Sequence, residues 1–278
     1  MKILVTGATG KVGSRFVPRL LQLGHSVYIL IRDNKKAELL KTLGAEVVIG
    51  DLSQPSSLPN AVENKDAVVH LAAFFRGATD QQAKEVNLDG AVAIANAALK
   101  AKVKRFVFAS TSNIYGQGQD RPASENDPAQ PIHAYPATKL AAEKALQELC
   151  AQQKMELSIF RLAFVYGESD PHIPETFPYL SQWHPAKRLH MVHHADVGQA
   201  LMRGLTGNVT GVFNVADDAP ITIGELRRLY HQSDPSDIDD SKLVNPWEGI
   251  LSTLRIRDFL GFRPIYPSFY SARDAGVL

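Results

Sequence analysis

The stretch Lys2-Ile3-Leu4-Val5-Thr6-Gly7-Ala8-Thr9-Gly10-Lys11-Val12-Gly13 decides the fold. Residues 2–6 are a continuous apolar run, the pattern of a strand buried on both faces. Three glycines follow at Gly-x-x-Gly-x-x-Gly spacing. Val12, Phe16, Leu20 and Leu23 then recur at helical spacing, and Gly24 stands where glycine ends a helix. Between a strand and a helix, glycine permits positive φ and close backbone approach, and the first helical amides face a diphosphate. Gly7, Thr9, Gly10, Lys11, Val12 and Gly13 are therefore expected to hold a dinucleotide. The plainer alternative is a tight turn with no ligand.

Outward from this loop, strands alternate with helical patterns. Strands are expected at Val27–Ile31, Glu46–Ile49, Asp66–Leu71, Arg105–Ala109 and Leu157–Leu162. Helices are expected around Lys35–Leu43, over Gln81–Lys100 and over Tyr135–Gln153. Alternation of this kind predicts an α/β fold, a doubly wound parallel sheet of the Rossmann type. After Gly167 the segments shorten and prolines 171, 174, 178 and 185 punctuate them. A helix at Asp196–Leu205, a strand at Val212–Val215, a helix at Thr222–His231, an acidic loop Asp234–Asp240 and a last helix near Trp247–Phe259 are expected. Residues 1–167 are thus read as an NAD(P)-binding core. Residues 168–278 are read as mainly a small C-terminal substrate-binding lobe, with some elements returning to the core.

Composition narrows the function. The chain has 278 residues, 45% hydrophobic, with 30 Lys+Arg against 29 Asp+Glu. A formal charge of +1 gives no electrostatic basis for a nucleic-acid or anionic-membrane partner. A single cysteine, Cys150, excludes an internal disulfide framework and a cysteine-based zinc site. No apolar run approaches the ~18 residues that span a bilayer. The chain opens on a strand instead of a charged and then apolar leader, so a cytoplasmic protein is the default expectation.

A second motif carries chemistry. Tyr135-Pro136-Ala137-Thr138-Lys139 is Tyr-x-x-x-Lys, and a spacing of four puts both side chains on one helix face. A nearby ammonium favours phenolate and is expected to lower the tyrosine pKa from ~10 toward working pH. Such a tyrosine can give or take the proton of an alcohol oxygen. The hydroxyl-rich run Ser110-Thr111-Ser112-Asn113 follows the fifth strand, one loop earlier.

Glycine spacing, hydroxyl run and Tyr-x-x-x-Lys, in this order, resemble the extended short-chain dehydrogenase/reductase superfamily, its NAD(P)-dependent epimerase/dehydratase-like branch. The resemblance is strong from Met1 to Gly167 and looser beyond. It implies catalytic roles for Thr111, Tyr135 and Lys139, with Thr111 aligned through Ile114-Tyr115-Gly116 and Ser112 its rival. It implies that Tyr135 exchanges the proton, Thr111 orients the oxygen, and Lys139 tunes Tyr135 and binds the nicotinamide ribose. Asp51 and Leu52 match the pair that contacts the adenine. Leu71-Ala72-Ala73 matches the small segment that lets the cofactor lie close. Asn87-Leu88-Asp89-Gly90 matches an Asn-x-x-Gly element whose role reads as structural. Two long helices, Gln81–Lys100 and Tyr135–Gln153, imply a possible homodimer.

The cofactor is expected to be NADP in preference to NAD, with NAD possible. Arg32, after the second strand, suits a 2′-phosphate, whereas NAD-using epimerases would carry an acid at Ile31. Asp33 is the rival ribose contact. Phe164 stands where nucleotide-sugar members usually carry Asn, and only a short insert separates Gly167 from the Val192-His193-His194-Ala195-Asp196-Val197 segment. Both departures weigh against a nucleotide-sugar substrate. Phe74, Ser112, Asn113 and Phe164 are the candidate substrate contacts. Phe74, Phe75, Phe164, Phe177 and Trp183 read equally as pocket or as core. Arg188 is available to meet a phosphate or carboxylate. His190, His193 and His194 have no fourth ligand at recognisable spacing, so no metal is expected. The leading reading is an NADP-dependent oxidoreductase acting on a small carbonyl or alcohol. The alternatives are a sugar or nucleotide-sugar epimerase or dehydratase with a retained cofactor, and a non-catalytic nucleotide sensor.

Overall fold

In a computed structural model, β1 (Lys2–Thr6) leads through the glycine loop into α1 (Gly13–Gln22), which Gly24 closes at φ +78°. The description covers all residues except Arg76, Ala78, 233–242 and Val244, with Asn34 and Lys35 described by backbone alone. The expected acidic loop Asp234–Asp240 lies outside the described residues.

The chain continues through β2 (Ser26–Ile31), α2 (Glu38–Thr42), β3 (Glu46–Ile49), α3 (Pro59–Val62) and β4 (Ala67–His70). Then come α4 (Asp80–Lys84), α5 (Gly90–Lys100), β5 (Arg105–Thr111), α6 (Ala134–Gln153) and β6 (Glu156–Leu162). The second half adds β7 (Phe164–Tyr166), α7 (His172–Leu180), β8 (Arg188–Leu189), β9 (Met191–His193), α8 (His194–Thr206) and β10 (Gly211–Val215). It ends with β11 (Ile221–Thr222), α9 (Ile223–Leu229), α10 (Leu254–Leu260) and α11 (Phe269–Asp274).

Seven strands form one parallel sheet in the order β10-β6-β5-β4-β1-β2-β3. Strand side chains alternate between faces, so each buried strand feeds two cores. On one face Ile3, Val5, Ile29 and Val107 pack with Phe16 of α1 and Leu201 of α8. On the other, Leu4, Leu30, Phe106 and Phe108 pack with Ile94 of α5 and Leu146 of α6. The order reverses between β1 and β4, and in such sheets the ligand crevice opens at the carboxyl ends of those strands.

The chain beyond residue 167 serves both regions. β10 pairs with β6 in the main sheet, and α8 packs under it. The small lobe has its own core around Tyr166, Ile173, Leu226 and Phe269.

Two local expectations are corrected, and one helix stands where none was named. The single helix over Gln81–Lys100 is interrupted by a π turn at Glu85–Asp89. α7 forms in the proline-rich segment, where Pro174 falls in the first turn and its missing N–H costs nothing. The last helix does not begin near Trp247. Residues 246–249 are a turn, and Ser252 N and Ala123 N donate to Ala123 O and Ile250 O. That strapping leaves residues 250–252 extended, so α10 starts only at Leu254. Among the described residues no helix is long and apolar enough to cross a membrane.

Candidate functional site

The three loop glycines have three different surroundings. Gly7 has φ +68°, and a Cβ there would lie 2.5 Å from Ala72 N, so this glycine lets β1 and the segment after β4 touch. A Cβ on Gly13 would lie 2.3 Å from Gly7 O and 2.6 Å from Ala8 Cα, so it lets α1 pack on the loop. At Gly10 a Cβ would meet only Gly7 O, at 3.2 Å, and the residue is exposed. Its backbone is thus open to approach from the crevice. Val12 gives α1 no side-chain cap. This division of roles fits a dinucleotide diphosphate.

The remaining cofactor candidates divide between one cavity and the loops after β2 and β3. Leu71, Ala73, Lys11 and Val12 line one cavity. Leu71 N and Ala72 N donate to the backbone oxygen and Oγ1 of Thr6, at 3.1 and 3.4 Å. Arg32 and Asp33 are exposed beyond the end of β2, and Arg32 makes no ion pair within the described residues. Asp51 accepts from Ser53 N at 2.9 Å, and Leu52 rests against Gly90 of α5.

Thr111, Tyr135 and Lys139 line that cavity together, with Ser112 and Asn113 beside them. Thr111 ends β5, and its Oγ1 accepts from Asn113 N at 3.2 Å. Tyr135 and Lys139 enter from the first turns of α6. Burial pushes the Tyr135 phenol up to about 12, against an opposing hydrogen bond from Thr111 that favours its ionised form. Burial also brings the Lys139 ammonium down to about 7, with Glu143 pulling the other way. The expected lowering of Tyr135 by Lys139 is therefore corrected. Lys139 is buried with its Nζ 3.9 Å over the Phe108 ring, and its opposite charge is Glu143, one turn further on.

Glu143 belongs to a polar network that the sequence reading missed. It accepts from Ser110 Oγ and is gripped by Arg161, whose Nη2 lies at 2.7 Å. Arg161 also donates to Tyr115 Oη at 2.8 Å, and Tyr115 donates to Asn214 at 2.8 Å. The available signal was Tyr-x-x-x-Lys-x-x-x-Glu, since a further spacing of four keeps Glu143 on the same helix face.

Asn87, turned inward by the π turn, ties two walls of the site. Its amide accepts from Phe74 N at 2.7 Å and donates to Phe74 O and to Thr138 Oγ1 on α6. Phe74 is held by its backbone and does not line the cavity, whereas its neighbour Phe75 does. Phe164 and Trp183 line it too, while Phe177 packs against Tyr230 in the lobe core.

The second lobe closes over the glycine loop. Lys11 Nζ lies 2.7 Å from Glu175 and 3.4 Å from Asp170. Arg15 donates to Glu168 O at 2.6 Å. Burial alone would raise Asp170, but His194 at 2.6 Å and Lys11 hold its carboxyl down to about 2. The three histidines are engaged separately. His190 bonds Asp217 O and Leu251 N, His193 bonds Val277 O and Ala195 N, and His194 bonds Asp170. Among the described residues no three His, Cys, Asp or Glu side chains form a metal-holding group.

Known proteins bear out the fold. One curated relative, the photosystem II assembly factor Ycf39 of Guillardia theta, is 41% identical over 113 residues, 41% of this chain. That match spans only 36% of the relative's length. A 4-hydroxy-2-methyl-3-oxo-4-farnesyl-3,4-dihydroquinoline-1-oxide ketoreductase of Stigmatella aurantiaca is 27% identical over 82% of this chain and 72% of its own. The solved structure of Thermus thermophilus UDP-glucose 4-epimerase in complex with NAD shares the fold, with a TM-score of 0.79 at 24% identity, covering 98% of this chain and 96% of that one. The family model for the NAD dependent epimerase/dehydratase family matches residues 3–195, which hold the glycine loop, the hydroxyl run and Tyr135 with Lys139, and the chain belongs to that family.

Proposed function

We propose that the protein is an NADP-dependent oxidoreductase acting between a carbonyl and its alcohol, with Tyr135 as acid and base. The observation that carries this reading is the convergence of Thr111, Tyr135 and Lys139 on one cavity that also reaches Lys11 and Val12 of the glycine loop. A bound nicotinamide supplies the two-electron donor or acceptor there. Burial keeps the Tyr135 phenol protonated at neutral pH, so the proton needed by a carbonyl oxygen on reduction is in place. The Thr111 hydroxyl bonds the same oxygen and steadies the phenolate after the proton leaves. Lys139 places a titratable ammonium on the same helix face, where it counters that phenolate and can meet a ribose hydroxyl. Asp51 and Leu52 border the adenine end, and exposed Arg32 is assigned to the 2′-phosphate.

The test is NADPH oxidation by nucleotide-stripped protein over a ketone panel, with Tyr135→Phe alongside. The variant is expected to lose about 10²–10⁴-fold in turnover while binding nucleotide as before. Near-normal turnover would overturn the assignment of Tyr135.

A second reading is an epimerase or dehydratase that keeps its nucleotide. The clasp of Glu168, Asp170 and Glu175 over Lys11 and Arg15 favours it, because it closes the glycine loop from the lobe side. A nucleotide that survives stripping, with no net NADPH consumption on any ketone, would support this alternative.

A further inference from the structure

The cavity measures about 610 Å³ and runs from the glycine loop, past Tyr135, to the lobe residues Trp183 and Arg188. Beyond Tyr135 its wall is a series of rings. Phe75 meets Tyr135 edge-on at 4.9 Å and meets His172 edge-on at 5.9 Å. His172 lies flat against Phe164, with centroids 4.2 Å apart and planes 6° apart. Exposed apolar side chains continue this wall outward. Phe75, Ile132 and Tyr179 line the cavity and are 45%, 63% and 63% exposed. Water-facing apolar groups of this size beside a pocket mark a surface that an apolar ligand covers.

The charges at the lobe end point the same way. Lys187 is paired with Glu248 at 2.9 Å and sits 4.2 Å over the Trp183 ring. Arg188 stacks on Trp247 at 4.7 Å and donates to Pro246 O. Lys11 is held by Glu175 and Asp170. Desolvation brings His190 down to about 4 and lowers His194, whose ring is already engaged by Asp170. A nucleoside diphosphate carries two or more negative charges into such a pocket. Here the cations that line the lobe end are already matched by a carboxylate or fixed on a ring and a carbonyl.

Resting on the oxidoreductase reading above, we infer that the substrate is a bulky apolar ketone or its alcohol, not a nucleotide sugar. Its reacting carbon lies at Tyr135 and a flat aromatic or extended hydrocarbon body lies along Phe75, His172 and Phe164. The body leaves the pocket past Ile132 and Tyr179. Apolar contact and ring stacking supply the binding, and the oxygen supplies the orientation through Tyr135 and Thr111.

Two measurements on the full chain separate this inference from the reading beneath it. The first is calorimetric binding of 1-(2-naphthyl)ethanol and of UDP to protein saturated with NADPH, with which the alcohol cannot react. The second is kcat/KM with NADPH for 2-acetonaphthone, hydroxyacetone and UDP-4-keto-glucose. The naphthyl alcohol is expected to bind more tightly than UDP. Phe75→Ala, at an exposed position, and Phe164→Leu, which keeps the bulk, are each expected to weaken it about tenfold. 2-Acetonaphthone is expected to exceed hydroxyacetone in kcat/KM by at least a hundredfold. Tighter UDP binding, or a preference for hydroxyacetone or UDP-4-keto-glucose over 2-acetonaphthone, overturns the inference. Naphthyl binding that both variants weaken, with no ketone reduced, supports the pocket assignment and overturns the oxidoreductase reading instead.

Discussion

Arg161 Nη2 grips the Glu143 carboxylate at 2.7 Å, and both side chains are buried beneath the site. Glu143 lies one helical turn from Lys139, so this pair fixes the electrostatic floor under the lysine. Breaking one partner of a buried ion pair leaves an uncompensated charge, at a cost of about 3–5 kcal/mol. Arg161→Met is therefore expected to lower stability by about that amount. The double change Arg161→Met with Glu143→Leu is expected to be less destabilising than the single one. Urea unfolding of the wild type, both single variants and the double variant checks this, and additive losses would exclude the coupling.

Lys139 links stability to pH. Its folded pKa of about 7 lies below the ordinary lysine value of 10.5, so the unfolded chain binds this proton more tightly. The penalty is full below pH 7 and is relieved as pH rises from about 7 toward 10.5. Lys139→Met removes it. Relative to the wild type, the variant is expected to gain most at pH 6–7 and to lose that advantage by pH 10. Tm measured across this range for both chains gives the slope directly.

Tyr135 sets the pH dependence of turnover under the proposed role. Burial raises its pKa to about 12, so the acid form persists through neutral pH. Carbonyl reduction is expected to be insensitive to the phenol between pH 6 and 9, while alcohol oxidation rises with pH through the same range. A reductive rate that falls tenfold between pH 7 and 9 in step with Tyr135 ionisation would contradict the upward shift of the phenol while leaving its role as the acid in place.

Two glycines of one loop should respond differently. Gly7→Ala places a Cβ 2.5 Å from Ala72 N at φ +68°, so it is expected to destabilise the fold by several kcal/mol. Gly10→Ala meets only Gly7 O at 3.2 Å and is expected to fold with a Tm near that of the wild type. Its Kd for nucleotide is expected to rise at least tenfold. Thermal melts and nucleotide titration of both variants decide the point.

Arg32→Ala is expected to weaken NADPH binding by about ten- to a hundredfold, the worth of one or two charge-assisted hydrogen bonds, and to leave NADH unchanged. NADH binding by the wild type that equals or exceeds NADPH binding would move the ribose contact to Asp33. Glu175→Ala opens the exposed clasp on Lys11 and is expected to speed nucleotide release about two- to fivefold in stopped-flow.

Thr111 was joined to Tyr135 and Lys139 through the family resemblance; the strand-loop-helix opening, the parallel sheet and the placing of Tyr135 and Lys139 on one helix face were legible in the chain alone. They follow from short-range rules: alternation across a strand, a period near four on a helix, and glycine where a Cβ cannot fit. Long-range packing set what those rules cannot reach. The π turn that directs Asn87 toward Thr138, the pairing of β10 with β6, and the strap that keeps residues 250–252 extended all depend on partners 50 or more residues away. The electrostatics of the site depend on burial in the same way. Spacing puts Lys139 and Tyr135 on one helix face, but desolvation raises the phenol and lowers the ammonium, directions no local pattern encodes.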